Sequence, residues 1–373
     1  METGLIIDWH TTDPHTFYLK HLKEHPVHYV SAQQGWNIYA YRQAREIMLH
    51  QDALIPEIKT GHTGLNQNTL KLTRQLARLN NFEQHKKSRQ AAMQIYNQIQ
   101  PVSVHDILST LLKAGTTNNS IDWVNTIGKK LPALYILKSL NFGHDDCLYI
   151  INHLSALVKI MSVQKTAAEI ILLNELTDTL FILVQKHFSN TDTTRHLTEN
   201  DEWTELLISN LIGLLIQSYD AGRGLLTNTL IQLIRNHHPL PGNRTEDYFK
   251  QVITETLRFD PPVHLTKRIA GRDILIGNQV IKKGEMITIV LAAANLDPQI
   301  FESSSTYNPL RANNHEHLTF GAGHHQCLAK HLMTELTAET FKLLYHRIQM
   351  PEQAINYEPL LNVRLVKNLF ITI

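Results

Sequence analysis

From Glu83 to about His238, apolar side chains recur every three or four residues, in Ile107 to Leu112, Leu148 to Ile160, Ile170 to Val184 and Trp203 to Ile234. That spacing lays an apolar stripe along a helix, so a run this long commits the chain to helices packed on helices. Pro239 and Pro241 should stop the longest of them, and a fresh helix from Thr245 to Arg258 ends before Pro261-Pro262. Strand-like pieces flank this block. Val27 to Val30 and Trp36 to Tyr39 precede a helical Arg42 to His50. After the double proline come Asp273 to Ile276, Val280-Ile281 and Met286 to Leu291, separated by turns at Gly277-Asn278 and Lys283-Gly284. A final helix is expected to begin near Cys327, with short strands in Leu361 to Ile373. The expected fold class is mainly α with a minor β region.

No repeat or low-complexity tract divides the 373 residues, so a single domain over 1–373 is expected. Hydrophobic residues make up 43% and charged residues 18%, enough apolar material for a sizeable core. Thirty-five basic against thirty-four acidic side chains leave a formal charge of +1, which gives no field for nucleic acid or an anionic membrane. Two cysteines, Cys147 and Cys327, are too few for a disulfide framework and suit a reducing compartment. Met1 to Lys20 lacks the pattern of a secretory signal, and no stretch has the apolar length of a membrane anchor. The expectation is a soluble, cytoplasmic monomer. Lys59 to Asn80, rich in Thr, Asn, Gln and Gly, reads as a long polar loop running into a weak helix.

The sharpest local feature is Phe320-Gly321-Ala322-Gly323-His324-His325-Gln326-Cys327-Leu328-Ala329, a glycine-rich loop that delivers a cysteine toward a helix. Helix N-terminal N–H groups favour a thiolate, and glycines let backbone pass close to a flat ligand. Two other readings of these residues stand beside a thiolate ligand. One is an inert thiol on a surface loop. The other is a zinc site from His324, His325, Cys327 and His331, for which adjacent histidines and a helix-borne cysteine make poor tetrahedral geometry.

The loop resembles the haem-ligand signature of the cytochrome P450 family: Phe320, Gly321, Gly323, the basic His325, Cys327 and Ala329 fill its fixed positions. Glu255-Thr256-Leu257-Arg258 resembles the family's structural Glu-x-x-Arg pair. Ala293-Ala294-Asn295-Leu296-Asp297-Pro298, Phe301 and Tyr307-Asn308-Pro309-Leu310-Arg311 follow in the family's order. The resemblance implies the cytochrome P450 fold, haem b (iron protoporphyrin IX) as cofactor and Cys327 as axial metal ligand. It further implies propionate partners at His85 and Arg89, at Arg268 and at His325, since buried anions need basic partners.

The long helix also departs from the family. Where members place Ala or Gly, Gly, any residue, an acid and then Thr, this chain reads Gln217-Ser218-Tyr219-Asp220-Ala221. Asp220 keeps the acid and Ala221 removes the hydroxyl that helps relay protons. Three replacements are open: a hydroxyl or amide of the substrate, Ser218 or Gln217 one turn back, or peroxide as oxidant. Substrate-assisted relay is the one favoured. The resemblance thus implies a monooxygenase, of the kind found in secondary metabolism, hydroxylating a small to medium organic molecule. Substrate contacts would come from 59–82, Gln217, Ala221 and Val263 to Thr266. Electrons would come from a ferredoxin- or flavodoxin-type donor, received near Lys86, Lys87 and Lys330. A peroxide-driven or non-oxygenating enzyme, or a haem-binding sensor or carrier, is the alternative.

Overall fold

The computed structural model describes residues 13–57, 64–162, 164–191, 197, 200–236 and 245–373. In chain order they form α1 (Pro14–Glu24), β1 (Val27–Val30), β2 (Gly35–Ile38), α2 (Tyr41–Leu49), β3 (Ala53–Leu54), α3 (Gln67–Gln75), α4 (Phe82–Tyr96), α5 (Val104–Gly115) and β4 (Ser120–Asp122). After a π-helical turn at Val124–Gly128 come α6 (Leu131–Ser139), α7 (His144–Leu157), α8 (Ala167–Asn190), α9 (Asp201–Arg235) and α10 (Glu246–Phe259). The remainder is β5 (Thr266–Ala270), β6 (Ile274–Ile276), β7 (Gln279–Ile281), β8 (Met286–Ile289), α11 (Leu291–Ala294), α12 (Lys330–Leu344) and β9 (Phe370–Thr372). The mainly helical class with a small β part is therefore observed, and none of these helices is long and apolar enough to cross a membrane.

The chain gathers into two compact units. The first contains residues up to Pro56, Leu112–Gly128 and Arg223–Ile373; the second contains Glu57–Leu111 and Lys129–Gly222. Helix α9 supplies residues to both.

The first unit is organised by a five-stranded sheet in the order β1-β2-β8-β5-β3, in which only β2 and β8 run parallel. Gly35 pairs with Met286, and a Cβ on it would lie 2.7 Å from the Met286 carbonyl oxygen, so glycine is required where the two strands meet. Ile38, Ile47, Ile287, Ile289 and Phe301 are wholly buried in one cluster on this sheet. Each such side chain contributes about 1.5–3 kcal/mol by leaving water. Helices α10 and α12 pack together, and the buried Trp123 stacks on Phe341 of α12 with ring centroids 5.8 Å apart.

In the second unit α7 and α3 both pack on α8. Thr166 and Glu169 close a reciprocal cap at the start of α8, which satisfies N–H groups left over by the first turn. Asn66 caps α3 through the Thr69 N–H and donates to Asp178 of α8 at 2.8 Å. Ser209 on α9 donates to Gln75 Oε1 at 2.6 Å, and Asn210 bridges Gln75 O and Ala77 N, which fixes the end of α3. Gly213 lies on the same side, where a Cβ would approach Leu76 Cδ2 to 2.5 Å.

Several sequence expectations shift. The helical block contains β4, whose partner β9 is at the far end of the chain, so local periodicity held no sign of it. Of the closing strands only β9 forms; Val363 and Val366 make isolated bridges to Val263 and Tyr357. The last helix starts at Lys330, three residues beyond Cys327, because a 3-10 turn at Gly323–His325 and a further turn intervene. The polar stretch 59–80 includes α3, while 58–63 lie outside the described residues, as do Pro239 and Pro241.

Candidate haem-thiolate site

In the first unit the cysteine loop is built by backbone. Gly321 and Gly323 have φ of 71° and 70°, the left-handed region that glycine enters without strain. Gly321 N donates to Leu318 O, Gln326 N to Gly323 O and Cys327 N to Phe320 O, at 2.8, 3.1 and 2.8 Å. The loop folds back on itself and leaves the Cys327 side chain exposed. A Cβ on Gly323 would come within 3.1 Å of Met48 O, so this corner also presses against α2. His325 and Gln326 are half-buried, and His324 is exposed.

Behind the loop stands a buried ionic cluster. Arg258 Nε and Nη2 donate to Glu255 Oε2 and Oε1 at 2.9 and 2.6 Å, and neither side chain has any exposure. The remaining guanidinium hydrogens go to Asn295 O, Ser304 O and Thr306 O, while Glu255 Oε1 also accepts from Asn308 N at 2.9 Å. Every charge-bearing atom is thus met, the condition under which a buried pair is tolerable. The pair binds α10 to the segment running into the cysteine loop.

Sequence reading gave no role to Asn295, which performs the final connection. Its Oδ1 accepts from Leu318 N at 2.7 Å and its Nδ2 donates to Thr319 Oγ1 at 2.8 Å. Thr319 Oγ1 in turn donates to Leu257 O. Asp297 likewise accepts from Tyr41 N at 3.0 Å, tying α2 to the same segment. Both residues stood inside the Ala-Ala-Asn-Leu-Asp-Pro match, but a hydrogen bond spanning 23 residues has no periodic signature.

Arg268 lies on β5, 4% exposed, and its Nη1 donates to Thr266 Oγ1 and Lys267 O. Val263, just upstream, packs on the same apolar cluster as Ala322 of the cysteine loop. Among the described residues no group of three or more His, Cys, Asp or Glu side chains is placed to share a metal ion, and His324, His325, Cys327 and His331 are among them. A single exposed thiol with buried basic side chains fits a cofactor that brings its own equatorial ligands.

The other expected residues belong to the second unit. His85 is buried on α4, with Arg89 one turn on and half-buried. On α9, Asp220 and Ala221 are half-buried. Gln217 Nε2 donates to Gly213 O at 2.9 Å, and Ser218 Oγ donates to Leu215 O at 2.8 Å.

A family model described as "Cytochrome P450" matches residues 246–343, the stretch from the start of α10 through most of α12. Over the whole fold the chain superposes on solved structures. These include P450BioI in complex with hexadec-9Z-enoic acid ligated acyl carrier protein (TM-score 0.81, 21% identity, 96% of this chain and 98% of that one). CalO2 gives a TM-score of 0.82 at 16% identity, covering 96% of each chain. The chain thus has the fold of these structures and resembles the cytochrome P450 family over residues 246–343. Among curated relatives, the biotin biosynthesis cytochrome P450 of Bacillus subtilis is 30% identical over 179 residues, 47% of this chain and 45% of that protein. Cytochrome P450 CYP107DY1 of Priestia megaterium is 31% identical over 186 residues, 49% of this chain and 42% of that protein. The matched stretch thus spans less than half the length of these relatives.

Proposed function

We propose that this chain, as a single domain over residues 1–373, is a cytochrome P450 and a haem-thiolate monooxygenase. It would oxidise a small to medium organic molecule with electrons from a separate ferredoxin- or flavodoxin-type protein. The observation that supports this best is the cysteine loop, where two left-handed glycines and the Cys327 N–H to Phe320 O bond leave the thiol exposed. When bound, haem supplies the oxygen-activating chemistry, and a thiolate ligand pushes electron density toward iron.

The chain's own residues then have distinct tasks. Cys327 Sγ would hold the haem iron. Its backbone N–H is used by Phe320 O, and α12 begins three residues later. Phe320, Gly321 and Gly323 shape the loop. His85, Arg89, Arg268 and His325 would meet the propionates as charge-assisted donors. Asp220 would hold or pass a proton at its carboxylate.

The relay lacks an alcohol at Ala221. The Ser218 hydroxyl hydrogen and one Gln217 amide hydrogen are taken by carbonyls of their own helix, which favours a hydroxyl or amide on the substrate as the missing member. Ser218 and Gln217 retain acceptor lone pairs and so remain candidate water holders.

The deciding experiment has two arms. A reduced carbon monoxide difference spectrum is recorded on the holoprotein and on Cys327→Ala. Thiolate-type absorption should be present in the first and lost in the second; its persistence in Cys327→Ala overturns the ligand assignment. Turnover with a ferredoxin and reductase pair is then compared with turnover on hydrogen peroxide. Better product yield on peroxide identifies the peroxide-driven alternative, and no product under either supply identifies a sensor or carrier.

A further inference from the structure

Within the first unit, the face of the five-stranded sheet that lies against α1 gathers several nitrogen and oxygen donors. Asn37 on β2 stands directly opposite His28 on the edge strand β1, and residues so paired point to the same face. Tyr39, two residues beyond Asn37, follows on that face and shares an apolar cluster with Tyr18 of α1. His21 of α1 meets Tyr39 with ring centroids 5.0 Å apart. His25, which ends α1, lies 4.8 Å from His28, ring to ring.

Asn37 carries the anomaly. It is 1% exposed, and its Nδ2 donates to Tyr39 Oη at 3.3 Å, which sets the direction of the amide. Its Oδ1 is buried with no hydrogen-bond partner among the described residues. A buried acceptor left bare is costly, and whatever answers it must bring a hydrogen or a positive charge.

The histidines beside it say which. A ring nitrogen about 2.1 Å from a metal ion leaves its ring centroid about 3.2 Å away, so two such rings at about 90–110° have centroids about 4.5–5.2 Å apart. His25 and His28 fall inside that range, with their planes tilted by 51° rather than stacked. His21, at 6.2 Å from His25, falls outside it. Its Nδ1 donates to Phe17 O at 2.9 Å and its ring stacks on Phe17, so it forms a fixed wall. His25 is exposed and His28 half-buried, so the pair leads from solvent toward the buried amide oxygen.

We propose that His25, His28 and Asn37 Oδ1 bind a divalent ion of the zinc class, with water completing its shell. The imidazole nitrogens supply the affinity, and the ion's charge satisfies the amide oxygen. The bound ion ties the end of α1 to the outermost strand of the sheet and to β2. The site is independent of the haem-thiolate reading.

The test uses the purified protein, stripped with EDTA and titrated with zinc chloride by calorimetry. Wild type should bind zinc with a dissociation constant below about 100 µM. His25→Ala and His28→Ala should each weaken that site at least about tenfold. His105→Ala, which removes an exposed histidine of α5, should leave it unchanged. A crystal soaked in zinc chloride fixes the place, with an anomalous peak expected within about 2.3 Å of a ring nitrogen of His25, one of His28 and Asn37 Oδ1. A peak that misses any of the three, weaker binding than that limit, or an affinity that His25→Ala retains overturns the proposal. Should His28→Ala fail to fold, the exposed His25 position and the soaked crystal decide alone.

Discussion

Glu255 and Arg258, one helical turn apart on α10, close a two-point ion pair from which solvent is entirely excluded. Three backbone carbonyls complete the guanidinium, and the other cation beside the carboxylate is Arg311, whose Nε lies 3.5 Å from Glu255 Oε1. Arg258→Met should leave Glu255 a buried anion with only the longer contact to Arg311 and destabilise the fold by about 3–5 kcal/mol. Urea unfolding of the purified protein, with haem content per chain, measures it; a loss under about 1 kcal/mol would contradict the role.

Asn295 offers a gentler perturbation of the same region. Asn295→Ala removes the acceptor for Leu318 N and a donor to Thr319 while sparing the ion pair. Stability should fall by about 1–3 kcal/mol, and the thiolate-type absorption should decay faster on warming than in wild type. Equal decay rates would show that the cysteine loop does not depend on this side chain.

Ala221→Thr restores the alcohol that the relay lacks. With a substrate that has no hydroxyl or amide, product formed per electron pair should rise, by about tenfold if the alcohol is worth its usual share of proton delivery. Peroxide released per product should fall in step. No change in either ratio would mean that the proton arrives by a route independent of position 221.

Acidity should act through His264. Its pKa in the fold, about 3, is below its ordinary 6.5, so the unfolded chain binds the proton more readily and acid favours unfolding. The associated stability is complete above pH 6.5 and is lost as pH falls toward the folded value. The slope is at most about 1.4 kcal/mol per pH unit for one proton. In His264→Gln the stability curve between pH 6 and 4 should be flatter than in wild type by about that slope, read from urea midpoints at each pH. Parallel curves would count against a neutral buried ring.

The elements legible in the sequence were those whose cause is local. Helix α9 announced itself by its apolar period, α10 by Thr245 and the following double proline, and the turns before β7 and β8 by Gly277 and Gly284, whose φ values are 58° and 87°. The cysteine loop was legible because glycine, histidine and cysteine stand at fixed offsets. Strand β4 was not, since its register with β9 depends on residues some 250 positions away. Nor was the task of Asn295, set by a partner brought near only by the finished fold. The start of α12 was misplaced by three residues because the turn after His325 leaves no mark on hydrophobic spacing.

The contrast between the two thiols has a practical use. Cys147 is buried beside the Phe142 carbonyl, and burial raises its pKa to about 11, whereas Cys327 is open to solvent. A maleimide at neutral pH should therefore tag one position and spare the other. Iron ligation would shield that position, so label uptake would count the molecules in a preparation that have yet to acquire their pigment.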